Sequence, residues 1–293
     1  MHIKLSPSQT LVAAALALTG LSSHAVTLVG ITSQNQVAVI DTANIGASTP
    51  VNITGLMAGE RFVSIDLRPT TNSIYGVTTQ SRLYTLDQVT GAASFVANIA
   101  GSPIVGGVGY GIDFNPLADF NGATSLRVIN SAGQNLAVNA NSGAVGFTGT
   151  TGTFTGLSAA AYNNTVPKAT TAPAAPTLFY INSATDTLHS AVGNFNVPTI
   201  NLIGSLGVDV LNANGFDIVG GLGYAALTVD AGTSLVTDLY SINLSTGAAT
   251  SLGTFNGTLS GLTAAVVPEP ETYALMLAGL AAVGFMAKRR KSV

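Results

Sequence analysis

Three aspartates, Asp66, Asp113 and Asp217, are the residues of this chain best placed by type and spacing to do chemistry. They stand in FVSIDLRP, YGIDFNP and GFDIVGG, each behind an apolar residue in a short run that reads as a strand. Carboxylates converging from three strands could hold a hard cation such as calcium through oxygen ligands. They could equally orient a sugar, or each could bond backbone amides at its own strand turn, since buried acids need partners. Arg68 lies two residues beyond Asp66, on the same strand face, and is placed to pair with it.

The rest of the chemical inventory is short. Beyond residue 25, His189 is the single histidine, in a predicted strand, where a lone imidazole more often packs than catalyses. There is no His-Glu-x-x-His, no Gly-x-Ser-x-Gly, no phosphate-cradling loop and no Asp-x-Asp-x-Asp-Gly calcium loop. GGVGYG at 106–111 leads into a strand rather than a helix, so it reads as a turn and not a nucleotide site. The chain has no cysteine, which removes thiol chemistry and disulfides together. Tyr75, Tyr84, Tyr110, Tyr162, Tyr180, Tyr224 and Tyr240 could serve as flat platforms for a glycan, or pack in the core. No catalytic residue is assigned, and no cofactor is expected unless the aspartates take calcium.

The elements that must position the aspartates repeat. VAVIDTANIGAS, LYTLDQVTGAAS, LAVNANSGAVGF and LYSINLSTGAAT begin at Val37, Leu83, Leu136 and Leu239, and LFYINSATDTLHSAV, from Leu178, is a weaker fifth copy. Each is a short alternating strand, an Asp or Asn, a turn, and small residues leading into another strand. A second series runs ahead of them: FVSIDLRP, YGIDFNP, LSAAAYN, GFDIVGG and LSGLTAAV. The period is about 50 residues, and four strands per period is the signature of a propeller blade. The body opens on a strand with no inner strand before it, VTLVGIT, and closes on an inner strand with nothing after it, LSGLTAAV. Pairing the two completes a fifth blade and closes the ring. The expectation is an all-β, five-bladed β-propeller, with six blades, a β-sandwich or a solenoid as alternatives. The stretch 163–177, rich in Pro, Thr and Ala, reads as a surface loop within a blade.

Composition narrows the partners. Residues 26–267 hold five basic residues against eleven acidic ones, a net charge of about −6. Such a body lacks the basic face that nucleic acid requires. Basic residues gather at the ends instead. A charged start at Lys4, an apolar run at 11–18 and small residues to Ala25 form a secretory signal peptide, residues 1–25. At the other end, Val267-Pro268-Glu269-Pro270 precedes an apolar stretch of 15 residues, 273–287. As a helix that stretch measures roughly 22 Å, a marginal membrane span. Lys288, Arg289, Arg290 and Lys291 follow at once and would hold that end in the cytoplasm.

Motif, short span and basic end, in that order over 267–291, resemble the PEP-CTERM sorting signal of exopolysaccharide-producing bacteria. The resemblance implies recognition of Pro268-Glu269-Pro270 by an exosortase-type membrane protease. It further implies transient anchoring of a C-terminal helix in the inner membrane of a Gram-negative-type cell, then release to the cell surface or extracellular matrix. The repeat units, with GERFVSIDLRPTTNSIYGV and GQNLAVNANSGAV, resemble a family of secreted bacterial domains of unknown function, 4394, which implies no activity. The expected organisation is therefore a signal peptide (1–25), a propeller-like domain (26–266) and a sorting signal (267–293). The expected role is a non-catalytic binding or structural module associated with exopolysaccharide. An enzyme acting on extracellular polysaccharide through the three aspartates is the alternative, and a permanently anchored protein is a third reading.

Overall fold

The computed structural model describes residues 25–101, 104–230, 232 and 235–265. Residues 1–24 of the signal peptide, the Val267–Pro270 motif, the apolar span and Lys288–Lys291 lie outside the described residues.

Among the described residues, twenty strands form five four-stranded antiparallel sheets. Blade one holds β4 (Phe62–Arg68), β5 (Ser73–Thr78), β6 (Arg82–Leu86) and β7 (Ala93–Asn98). Blade two holds β8 (Tyr110–Phe114), β9 (Ser125–Asn130), β10 (Gln134–Asn139) and β11 (Val145–Thr150), with a short helix α1 (Pro116–Phe120) after β8. Blade three holds β12 (Leu157–Tyr162), β13 (Thr177–Asn182), β14 (Thr187–Val192) and β15 (Asn201–Ser205). Blade four holds β16 (Asn212–Val219), β17 (Leu222–Asp230), β18 (Leu235–Ile242) and β19 (Ala249–Phe255). The fifth is composite: β20 (Leu259–Ala264) pairs with β1 (Thr27–Thr32), followed by β2 (Gln36–Asp41) and β3 (Val51–Asn52). The five-bladed propeller closed by its two terminal strands is thus the architecture, in place of the six-bladed, sandwich and solenoid alternatives, and the Pro/Thr/Ala-rich stretch lies in a long β12–β13 connection. That connection also shifts one repeat: LFYIN forms β13, the second strand of its blade, and TLHSAV forms the third. The other four copies form third strands, β2, β6, β10 and β18, so LFYIN stands one place out of the series.

Burial explains why the strand types differ. Inner strands are covered on both faces, so β8 and β12 are buried throughout and read as continuous small or apolar runs. Outer strands are open to solvent: β11 alternates strictly, and β7 has three exposed residues of six. The core is five clusters, one between each pair of neighbouring blades. Ala159 and Ala161 face blade four while Ala160 and Tyr162 face blade two, as period-two alternation requires. Crowding at the axis selects small residues: a Cβ on Gly111 would collide with the backbone of Ala159 and Ala160 in the next blade.

The Asp/Asn-turn repeat has two jobs. Its acid or amide closes the turn: Asp87, Asn139 and Asn243 each accept two backbone N–H groups just downstream. The glycine then buckles the blade to the one before it. Thr54 N–H donates to Gly91 O and Ala100 N–H to Gly143 O, at 3.0 Å each. Gly91, Gly143 and Gly247 all sit at positive φ, and a Cβ there would strike the carbonyl oxygen of Asn52, Asn98 or Gly204.

Candidate functional site

The inner strands β4, β8, β12, β16 and β20 present one equivalent position each to the axis: Asp66, Asp113, Ala161, Asp217 and Thr263. The hydrogen bonds set this equivalence. Asp66 Oδ2 accepts Phe114 N–H (2.8 Å), and the Asp113 carboxyl accepts the backbone N–H of Tyr162. Asp217 Oδ2 accepts Ala264 N–H (2.5 Å), and Thr263 Oγ1 accepts Leu67 N–H (2.8 Å). Each side chain therefore holds the amide one residue past the matching position in the next blade. Ala161 breaks the pattern because it has no acceptor, and Ile218 N–H, which it would have served, bonds Asp217 Oδ1 instead (2.6 Å).

The three sequence-predicted aspartates do come together. They are 4%, 2% and 4% exposed, and carboxylate oxygens from all three lie within 4.8 Å of one another. Burial raises all three pKa values; Asp66 is pushed further by the Asp217 charge, and Asp113 by both neighbours. Thr263 Oγ1 stands 3.1 Å from Asp66 Oδ1 and 3.1 Å from Asp217 Oδ2. A hydroxyl has one proton and two lone pairs. One lone pair takes Leu67 N–H and the proton can satisfy one carboxyl, so the other carboxyl must donate a proton of its own. Asp217 already accepts two amides and is the better anion, which places the proton on Asp66. The donor set, all oxygen, is also of the kind hard cations accept. Asp66 and Asp217 reach a cleft of about 570 Å³ at one mouth of the channel, walled by Leu67, Ile218, Ala264 and Pro167.

Other expectations are corrected. Arg68 pairs not with Asp66 but with Asp119 of α1 (Nε–Oδ1 2.9 Å), and it also bonds Asn141 while lying over the rings of Tyr75 and Phe114. All seven tyrosines weighed as glycan platforms are buried, so none presents a flat face to solvent. His189 is buried in β14 with Nε2 against the Thr187 hydroxyl and its ring edge-on to Phe154, and burial lowers its pKa. Sequence reasoning missed Thr263, although LSGLTAAV places it where the other inner strands carry Asp. It also missed Glu60, which accepts from Thr78, Tyr84 and Arg82.

Comparison with known proteins yields two family matches. The family described as Domain of unknown function (DUF4394) matches residues 36–263, and the PEP-CTERM protein-sorting motif matches residues 266–291. No curated protein matches. Among solved structures, a protein of unknown function from Bacteroides thetaiotaomicron is 13% identical, with TM-score 0.46 over 79% of this chain and 59% of its own length. The calcium-binding protein regucalcin from Agrobacterium tumefaciens is 11% identical, with TM-score 0.40 over 76% of this chain and 68% of its own. BamB from Moraxella catarrhalis is 16% identical, with TM-score 0.33 over 75% and 68%.

Proposed function

The chain belongs to the DUF4394 family and carries a PEP-CTERM sorting motif, and on that premise we propose that it is a non-catalytic propeller module of the cell surface or extracellular matrix, associated with exopolysaccharide. The motif makes it an exported protein of the kind processed by an exosortase, a membrane protease. The observation that carries the non-catalytic reading is how the channel carboxylates are used. Both oxygens of Asp66 and both of Asp217 already have partners: Phe114 and Thr263 of neighbouring inner strands for Asp66, and Ala264 of the neighbouring strand with Ile218 of its own strand for Asp217. A general acid–base pair needs a carboxyl free to meet a substrate proton. Here the same groups fasten blades together, which suits a rigid scaffold.

Intact mass of the protein recovered from membrane and from matrix of its producer tests the sorting half of this reading. A matrix form lacking residues 273–293 is the expected result, and excess mass on it would identify a covalent attachment. A single membrane form still ending at Val293 would replace the matrix role with that of an anchored protein.

A further inference from the structure

Arg127 is a buried cation with no anion. It projects from β9 and is 4% exposed. Its Nη1 donates to Asn135 Oδ1 and its Nη2 to Asn196 Oδ1, at 3.0 Å each, and its Nε has no acceptor. The two ion pairs among the described residues are Arg68–Asp119 and Arg82–Glu60, so no carboxylate neutralises it. Asp113 stands opposite it in the β8–β9 ladder, but that carboxyl turns to Asp66 and Asp217. The Tyr162 hydroxyl beside it is no counter-ion, because burial pushes its pKa up to about 12. A guanidinium taken out of water and met only by neutral groups, two amides and a phenol hydroxyl, is poorly compensated unless an anion joins it.

The same side chain lines a cleft of about 600 Å³ between blades two and three. One wall is the β14–β15 loop with Asn194 and Asn196, and Asn135 pins that loop by donating to the carbonyls of Phe195 and Asn196. The other wall carries Phe147 of β11 and Ser125 of β9. We propose that this cleft binds a carboxylate-bearing sugar, such as a uronic acid unit of a polysaccharide, with Arg127 as receptor for the carboxylate. Guanidinium and carboxylate match in planar geometry and in single charge, whereas a doubly charged phosphate would leave charge unbalanced in a body of net −6. The amides of Asn194 and Asn196 supply partners for ring hydroxyls, and Phe147 supplies an apolar face for the ring. This rests on the reading of the domain as a polysaccharide-associated module.

Calorimetric titration of the full chain in detergent tests it, with trigalacturonate as probe, maltotriose as its uncharged counterpart and inorganic phosphate as a bare oxyanion. Trigalacturonate is expected to bind at least tenfold more tightly than either. The variant Asn196→Asp places a carboxylate on the guanidinium from within, and it should weaken trigalacturonate at least tenfold without lowering the melting temperature. Arg127→Gln should weaken it likewise. Equal binding of trigalacturonate and maltotriose, indifferent to both variants, would overturn the role of Arg127 and leave glycan binding standing. Tighter binding of phosphate would overturn the sugar assignment. Binding of none, in a protein that is still cleaved and recovered from the matrix, would overturn the site while the sorting reading survives.

Discussion

Replacing Asp66 by Asn tests whether the channel holds a proton. Asn reproduces the neutral acid: its Oδ1 can accept Phe114 N–H while its Nδ2 donates to Thr263 Oγ1, the two bonds Asp66 makes now. Burial, reinforced by Asp217, raises the Asp66 pKa in the folded chain. Its stabilising contribution is therefore complete below the unfolded pKa near 4 and is lost as pH rises from there toward the folded value. The loss is about 1.4 kcal/mol per pH unit for each proton that the folded chain keeps and the unfolded chain releases. The Asn variant carries no such proton at this position. With the unfolded value near 4, it should already exceed the wild type by roughly 1.5 kcal/mol at pH 5, and by more at pH 8. For a domain of this size each kcal/mol moves the melting temperature by roughly 2–4 °C. Urea unfolding of the full chain in detergent, followed by far-ultraviolet circular dichroism at both pH values, reads the difference. If Asp66→Asn is destabilised equally at pH 5 and pH 8, the side chain is ionised in the fold and the proton assignment is wrong. If calcium raises the wild-type midpoint at pH 8 but not that of the variant, the trio holds a cation where we place a proton.

Two further outcomes follow from the blade fastenings. Gly143→Ala forces a side chain into positive φ against Asn98 O and should destabilise by about 2–4 kcal/mol; a loss under about 0.5 kcal/mol in chemical denaturation would refute the buckle. Glu60 behaves oppositely to Asp66. Burial alone would raise its pKa, but bonds from Thr78, Tyr84, the Met57 amide and Arg82 outweigh it and hold the carboxyl low. Its contribution is present above the unfolded pKa and disappears as pH falls through the folded value. Glu60→Gln should therefore cost about 3 kcal/mol at pH 7, with the gap to wild type closing in acid; a gap that persists at pH 3 would point to packing instead of charge.

Blade number was legible because periodicity is local information. The pairing of VTLVGIT with LSGLTAAV follows from counting strands, and the equivalence of Asp66, Asp113 and Asp217 follows from their shared place in the repeat. What each aspartate holds was not legible, because its partner lies in the next blade: Asp66 and Phe114 are joined only by the curvature of the ring. Arg68 turned to Asp119 for the same reason, since α1 of blade two packs onto the end of β4. LFYIN misled because the alternation of Leu178, Tyr180 and their neighbours is common to second and third strands. The tyrosines misled because amphipathic residues fit both a glycan platform and a blade interface, and only packing decides.

The composite fifth blade places the first and last described residues at one corner. Ala265 N–H donates to Thr27 O, and the β1–β20 ladder runs from Leu28–Ala264 to Thr32–Leu259. A pull applied beyond residue 265 therefore loads the first rung of that ladder alone, so β20 would peel rung by rung and would not resist in shear. Thr263, which holds Leu67 and contacts both Asp66 and Asp217, sits beside that first rung. Mechanical tension on the sorting end thus falls directly on the fastening of the ring, and the domain's resistance to being tugged is set by one short strand.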